Sequence, residues 1–445
     1  MNDAMNPEWE NLQSIVAMVL KKAKALGVDS AEAGVSYESG LSTTVRMGET
    51  ETMEFNRDKS LEITVFKGKK KGSVSTADIR EPALDAAVEA ACRIATYTEE
   101  DPCSGLADVD CLAKNIPDLD LYHPWDVSPE QAVLWAKECE ASARDFDARI
   151  VNSEGATFTT HSGYRVYGNT QGFMGAYPST CHALYCTVIA KANDAMQRDY
   201  DYTVARDSHD LDSRIQVGQR AALRTLRRLN ARKIKTCESP VIFSAEIAGS
   251  LLSTFIAAIS GGNLYRKTSF LLDQIDKPLF PAFVHIQENP HLPKGLGSVP
   301  FDAEGVATRR RTLVEAGILK SYVLGSYSAR KLGLKTTGNA GGVHNLMISH
   351  TDMDLPDLIK EMGTGLLVTE LMGQGINLVT GDYSRGATGF WIENGEIQYP
   401  VQEITIAGNL KTMFAKLVAV GNDIEERGNI LTGSLWIDKM TIAGA

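Results

Sequence analysis

Long apolar runs are missing from this sequence. Nowhere in its 445 residues is there the run of roughly 20 apolar residues that a membrane-crossing helix needs. No membrane span is therefore expected. The opening MNDAMNPEWENLQ has neither a basic start nor an apolar stretch, which speaks against a secretory leader. Cysteines at metal or redox spacing are missing too. All seven fall between Cys92 and Cys237, at irregular distances and with no CxxC. An odd, scattered set fits reduced thiols in the cytoplasm better than a disulfide framework. Cys181 and Cys186, with His182 between them, lie in an alternating strand-like run and are read as packing. No G-x-S-x-G elbow offers a serine nucleophile. No Gly-Lys-Ser/Thr follows the glycines of Gly338–Gly342, so they are not a phosphate loop. Positive charge is in deficit: 45 Lys and Arg stand against 56 Asp and Glu, a net charge of -11. That balance argues against broad nucleic-acid binding.

What remains is an ordinary globular composition, 43% hydrophobic and 23% charged, in a chain long enough for two or three domains. Residues 7–26 read as an amphipathic helix with Leu12, Ile15, Val16, Val19, Ala23 and Leu26 on one stripe, closed by Gly27. Short β segments follow from Ala33 to Asp78, punctuated by Ser39-Gly40, Gly48 and Gly68. Lys67 and Lys69–Lys71 at one of these turns are read as a solvated loop. A second helix spans 82–97, with Leu84, Ala87, Val88, Ala91, Ile94 and Ala95 on one face. Residues 99–127 lack a sustained period and read as a linker. Ser128-Pro129-Glu130-Gln131 is a capping box with proline at the first helical position. Its helix carries Ala132, Trp135, Ala136, Cys139 and Ala143, and strands follow to about Tyr202.

The stretch 213–235 holds eight basic residues and no acidic one. Leu211, Ile215, Ala222, Leu226 and Leu229 supply a core face, so a packed helix with solvated cations is favoured over an anion patch. From Pro240 onward the chain is rich in Gly and β-branched residues. Glu315-Ala316-Gly317 and Glu393-Asn394-Gly395-Glu396 are hairpin turns, and 409–418 is a helix. The fold class expected is α+β. Two similar helix–antiparallel-strand–helix units, at 1–98 and 128–236, are joined by the linker 99–127. A large antiparallel β-rich domain follows at 237–445.

The stretch Val241–Phe270 opens as a strand and becomes an apolar helix, with Leu251, Leu252, Phe255, Ile256 and Ile259 at helical spacing and Gly261-Gly262 ending it. On pattern alone it is a buried core helix. It also resembles the signature segment of the PmbA/TldD family of zinc-dependent peptidases. In TldD-type members a Leu-Leu pair precedes His-Glu-x-x-x-His, followed at the same distance by Arg-Lys and Ser. Here Leu251-Leu252, Arg266-Lys267 and Ser269 match, while the motif positions read Ser253, Thr254 and Ala258. Residues 338–348, 381–397, 401–410 and 420–425 resemble further family signatures. The TldD type has a third zinc ligand, a cysteine, after such a Gly-Asn-Asp stretch. Its place here is Thr432.

The resemblance implies the PmbA/TldE branch, which lacks the zinc motif. Zinc requires imidazole, thiolate or carboxylate donors, and these four positions offer a methyl group and hydroxyls. No catalytic residue, metal or cofactor is then expected in this chain. Zinc is expected in a TldD-type partner, joined in a cytoplasmic heterodimer that degrades or processes unfolded or modified peptides. A homodimer is the expectation when that partner is missing. Arg266, His344, Asn345, Asp382 and Arg385 are the substrate-binding candidates, with Trp391 beside them. Along an extended strand the members of His285/His291 and of His344/His350 lie about 20 Å apart, too far for one ion; only a fold-back could join them, which Pro290 allows for the first pair. Two other readings stand beside this one: a self-sufficient hydrolase with an unrecognised site, and an interaction protein such as a gyrase modulator. With no ligands to aim, the helix should run regularly through Phe255 and Ile256. Its apolar run, Ile247–Ile259, is a candidate dimer face.

Overall fold

The computed structural model describes residues 7–193 and 195–444, with side chains from residue 11 onward. The first six residues of MNDAMNPEWENLQ, the segment read against a leader, lie outside it. Among the described residues no helix is long and apolar enough to cross a membrane. The first half of the chain gives α1 (Pro7–Ala25), β1 (Ser30–Arg46), β2 (Glu49–Lys67), β3 (Lys70–Thr76) and α2 (Glu81–Tyr97). It continues with α3 (Pro129–Arg144), β4 (Ile150–Asn169), β5 (Met174–Ala192), β6 (Ala195–Ala205) and α4 (Arg214–Arg227). The two helix–strand–helix units share one antiparallel sheet of order β3-β2-β1-β4-β5-β6. They are fused where β1 pairs with β4, from Glu32↔Asn169 to Val45↔Ala156. All four helices cover one face. Ala31, Ala33, Val35 and Tyr37 of β1 pack under α1 and α2, and Leu41 on the same face packs under α3 and α4.

The helix stripes hold with three corrections. Leu26 is exposed because α1 ends at Ala25 and the chain turns through Gly27 at φ +73°. Ile94 is exposed because α2 meets β3 along Ala91, so closely that a Cβ at Gly72 would lie 2.1 Å from the Ala91 carbonyl oxygen. Ile215 is exposed because α4 rests on α3 through Gly218, Ala221 and Ala222. The capping box at Ser128 is formed from both sides. Ser39-Gly40 is no turn. It lies inside β1, where a Cβ on Gly40 would meet Nδ1 of His161 at 2.1 Å. Glycine is there for close approach across the sheet. The 99–127 segment is packed against the rest of the chain. It buries Leu106, Ala107, Leu112, Leu119 and Leu121 and bridges to Val306.

The second half contains β7 (Cys237–Phe243), α5 (Ala245–Ala258), α6 (Gly261–Tyr265), β8 (Ile286–Glu288), β9 (Arg311–Glu315), β10 (Ile318–Leu319) and α7 (Ser326–Lys331). Then come β11 (Leu346–Ile348), α8 (Leu355–Met362), β12 (Gly365–Met372), β13 (Ile376–Asn377), β14 (Asp382–Glu393) and β15 (Glu396–Asn409). The chain ends with α9 (Leu410–Ala415), β16 (Leu417–Val420), β17 (Ile430–Leu431) and β18 (Leu435–Ala443). One sheet runs β12-β7-β18-β15-β14-β13, with β16 on β18. A second runs β10-β9-β8-β11-β17. Pairing is antiparallel except for β7–β12 and β11–β17. Both hairpin turns are as expected, with Ala316-Gly317 and Asn394-Gly395 at positive φ. The residue pattern of 283–288 and 306–327 suggests long strands, but only β8, β9 and β10 form there, and the chain between β8 and β9 is loop.

Helix α5 is the centre of this half. Leu251, Leu252, Phe255 and Ala258 share one core with Val241, Phe243 and Leu366 of the first sheet and with Ile286, Leu313 and Leu346 of the second. Most of its apolar run is thus spent inside the chain rather than on a dimer face.

Two outcomes test these contacts. Gly40→Ala should destabilise the fold by about 1–3 kcal/mol through overpacking, read from denaturation midpoints. Gly163→Ala, whose Cβ would meet nothing nearer than 3.5 Å, should be close to neutral. The second concerns Glu32, which accepts a hydrogen bond from the Tyr167 hydroxyl at 2.7 Å. Burial pushes its pKa up to about 7, against the opposing pull of that hydrogen bond. The folded state therefore holds the proton more tightly than the unfolded chain. Stability from this group is complete below the unfolded value of 4.5 and is lost as pH rises to about 7. Across that window the wild type should lose on the order of 2 kcal/mol relative to Glu32→Gln. A difference that does not change with pH would contradict this.

Candidate functional site

The zinc-motif positions fall on and beside α5. The helix is continuous from Ala245 to Ala258, with no bulge at Phe255 or Ile256. Ser253 is exposed, while Ala258 is fully buried. That split follows from five residues of helix, which rotate a side chain by roughly 140°. The Thr254 hydroxyl donates to the Ser250 carbonyl at 2.9 Å. Thr432 is fully buried, and its hydroxyl donates to the Gly433 carbonyl at 2.9 Å. Gly249 shares a helix face with Ser253, and a Cβ there would lie 3.7 Å from Ile430. The segment ending in Thr432 therefore runs along the Ser253 side of α5. A zinc ion does not fit this set. One position is a methyl group, and two of the three hydroxyls are bonded to backbone carbonyls. Ser269 and Asn263 do something different: their side chains donate to the Ala258 and Ala257 carbonyls and close the helix C-terminus.

The other sequence-derived candidates do not converge. Arg266 is exposed, stacks 5.3 Å from the Tyr265 ring centre and reaches Asn263. Asp382 is exposed, and the Thr380 hydroxyl, then Asn409, hold its carboxyl below the usual range. Arg385 lies beside the buried Tyr383, whose hydroxyl burial pushes up to about 12. Trp391 donates to Glu393 at 2.8 Å. His344 and Asn345 are buried and engaged. Nδ1 of His344 meets Glu288 at 2.8 Å, and the same carboxylate accepts from the His344 backbone N–H and from Asn339. Asn345 donates to Ser298 and to the Asn289 carbonyl, and accepts from the Gly297 N–H. These two residues knit loops together. Among the described residues no group of three or more His, Cys, Asp or Glu side chains is placed to hold a metal ion. Burial, and then the charge of His344, lower the pKa of His291.

What the fold does assemble is a charged seam where the first half meets the second. Asp199 and Asp201 of β6 are only 7% and 3% exposed. Asp201 takes Arg220 at 2.6 Å and Arg427 at 3.1 Å. Asp199 faces Arg224 and Arg228, at 3.5 and 3.4 Å. Arg228 reaches Glu370, and both Arg224 and Arg427 reach Glu246 on the first turn of α5. Burial disfavours the Arg224 cation, but Glu246 outweighs it and holds the guanidinium above its ordinary range. Burial likewise pushes the Glu246 carboxyl up, and the two arginines pull it below its ordinary value. The basic residues of 213–235 that looked solvated are thus largely spent within the chain.

Beside this seam lies a cavity of about 500 Å³. Leu355, Ile359, Leu367 and Phe390 give it an apolar floor, and Arg224, Arg227 and Glu246 form a wall. Arg227 lies 5.2 Å over the Phe390 ring and, among the described residues, joins no ion pair. Ser244 lines the cavity with a buried hydroxyl that, among the described residues, has no hydrogen-bond partner. The chemistry offered is binding: room for an apolar side chain beside a cation that can meet a carboxylate. Next to it, Tyr185 stacks on Tyr202, and Arg427 lies 4.3 Å over Tyr202, on the helix-free face of the sheet. No local sequence signal marks this cleft, because its arginine and carboxylate partners lie up to 226 residues apart.

Known proteins resemble the chain over nearly its whole length. Residues 31–95, 122–229 and 236–444 match PmbA/TldA metallopeptidase domain 1, central domain and C-terminal domain. The chain is 51% identical over 433 residues to the metalloprotease PmbA of Escherichia coli, covering 97% of this chain and 96% of that one. It is 49% identical over 441 residues to a metalloprotease PmbA homolog of Haemophilus influenzae, covering 99% and 98%. Among solved structures, a putative modulator of DNA gyrase from Bacteroides thetaiotaomicron superposes with a TM-score of 0.92 at 28% identity, covering 97% and 99%. TldE from Thermococcus kodakarensis shares the fold, with a TM-score of 0.83 at 22% identity over 97% and 100%. With all three domains matched and half its residues shared with such relatives, this chain belongs to the PmbA/TldD family of metallopeptidases.

Proposed function

We propose that this chain is the PmbA/TldE-type subunit of a two-component peptidase, working in the cytoplasm with a TldD-type partner that holds the zinc. The observation that carries the reading is the state of α5. Its place in the core and its capping by Ser269 are intact, while Ser253, Thr254, Ala258 and Thr432 offer no donor that zinc would choose. In this reading the chain contributes no cofactor and no catalytic group. It supplies structure and binds peptide. Unfolded or modified peptides are the substrate class, since an extended backbone can pair with strand edges. The cavity at the start of α5 would take an apolar side chain and a carboxylate. Of the candidate contacts, the exposed Arg266 and Asp382 would touch peptide. His344, Asn345 and Arg385 would act through the loops and core they hold.

The rival readings separate in one experiment: peptide cleavage by this chain alone, by the TldD-type partner alone, and by the two together. The expected outcome is no turnover by this chain and turnover by the mixture that a chelator abolishes. Cleavage by the lone chain that survives chelation, with contaminating protease excluded, would establish a self-sufficient hydrolase and overturn the proposal. Tight binding to gyrase, with no turnover in any mixture, would support the interaction-protein reading.

A further inference from the structure

The cavity at the start of α5 carries one positive charge that, among the described residues, no carboxylate meets. Asp199, Glu246, Asp423 and Glu425 line it, and each already has partners. Asp199 faces Arg224 and Arg228, Glu246 meets Arg224 and Arg427, and Glu425 meets Arg427. Asp423 accepts from the Ser434 backbone N–H at 3.0 Å and from the Ser434 hydroxyl at 2.7 Å. Of the two cations that line the cavity, Arg224 is spent on Asp199 and Glu246. Arg227, the last residue of α4, is exposed, lies over the Phe390 ring and joins no ion pair among the described residues. A ligand ammonium group would find no carboxylate free to receive it. A ligand anion would find Arg227.

Ser244 points the same way. It stands at the N-cap of α5, where a serine hydroxyl usually accepts from a backbone N–H two or three residues on. No such cap forms here, and the buried hydroxyl meets no other partner among the described residues. It is free to donate to an anion in the cavity, at the positive end of a 14-residue helix. The floor of Leu355, Ile359, Leu367 and Phe390 asks for an apolar group as well, which a phosphate does not bring. Spacing narrows the choice further. The Arg227 guanidinium lies 5.2 Å from the Phe390 ring centre, so the anionic and apolar subsites adjoin. Along an extended peptide, side chains that share a face are two residues, roughly 7 Å, apart. A C-terminal residue spans the shorter distance, because its carboxylate and its side chain branch from one Cα.

We propose that this cavity holds the C-terminal residue of a bound peptide, with its free carboxylate on Arg227 and the Ser244 hydroxyl and its apolar side chain on the floor formed by Leu367 and Phe390. The inference rests on the reading of this chain as a peptide-binding subunit and adds a direction to it. The peptide is held by its C-terminal end, and that end is apolar.

Calorimetric titration of the full chain with short synthetic peptides tests it. The probes are acetyl-Ala-Ala-Ala-Leu with a free carboxylate, the same peptide as its C-terminal amide, acetyl-Ala-Ala-Ala-Ser with a free carboxylate, and acetyl-Ala-Glu-Leu-Ala amide. The free-acid leucine peptide should bind about tenfold more tightly than each of the others, since each lacks the terminal charge or the apolar side chain. Arg227→Gln should bring the leucine acid and its amide to within about twofold of each other. Ser244→Ala should weaken the acid about threefold. Arg227 holds no ion pair and Ser244 makes no cap, so neither change should move the thermal midpoint, which checks that the fold survives. The comparison of peptides on the wild type depends on neither variant. Three results would each overturn the proposal while leaving peptide binding in place: acid and amide that bind the wild type equally, an internal-glutamate amide that binds as well as the acid, or a preference for the acid that survives Arg227→Gln. A wild type that binds none of the peptides at millimolar concentration would overturn it together with the peptide-binding reading.

Discussion

Two buried carboxylates, Asp199 and Asp201, set the arrangement of this molecule. They sit on β6 with almost no exposure to water. A buried charge without a partner would cost several kcal/mol. The chain meets that cost with four arginines: Arg220, Arg224 and Arg228 from the end of the first half, and Arg427 from the far end of the second. The same arginines then reach Glu246, Glu370 and Glu425. Guanidinium groups suit this work because one fork can serve two carboxylates. The result fixes α4 on its sheet and the first turn of α5 against that sheet. It thereby shapes the cavity floored by Phe390 and Leu367.

That seam also explains what the sequence could and could not reveal. Local periodicity exposed α1 to α4, because each buries a stripe against one sheet face. The errors at Leu26, Ile94 and Ile215 are shifts at the ends or flanks of those stripes. The single six-stranded sheet stayed hidden, because β1 and β4 are joined only by pairing across more than a hundred residues. Gly40 read as a turn, since nothing nearby announces that His161 will crowd it. Residues 283–288 and 306–327 read as long strands because β-branched residues mark extended chain whether or not a partner strand exists, and only 286–288, 311–315 and 318–319 find one. Basic residues at 213–235 read as solvated because their acids are distant in sequence.

For the site, the missing donors were legible at once, since a methyl group or a hydroxyl cannot replace imidazole in any fold. The roles of the remaining residues were not. His344 and Asn345 carry polar side chains in a glycine-rich loop, a pattern that suits ligand contact equally well. Only the fold shows Glu288, 56 residues away, taking both the His344 ring and its backbone N–H. Ser269 matched the family pattern, and the structure gives it a task unrelated to metal: holding the α5 C-terminus closed. The frame around the motif is therefore maintained by packing and capping, with no metal-binding side chain at the four positions.

Metal analysis of the chain purified alone is the most direct measurement. The protein is loaded with excess zinc, then dialysed against metal-free buffer, and zinc is counted per chain by elemental analysis. Zinc well below one equivalent is the expected result, because Ser253, Ala258 and Thr432 give the ion nothing to hold. One tightly retained zinc per wild-type chain would contradict the reading of α5 as a helix that keeps its place and has lost its chemistry.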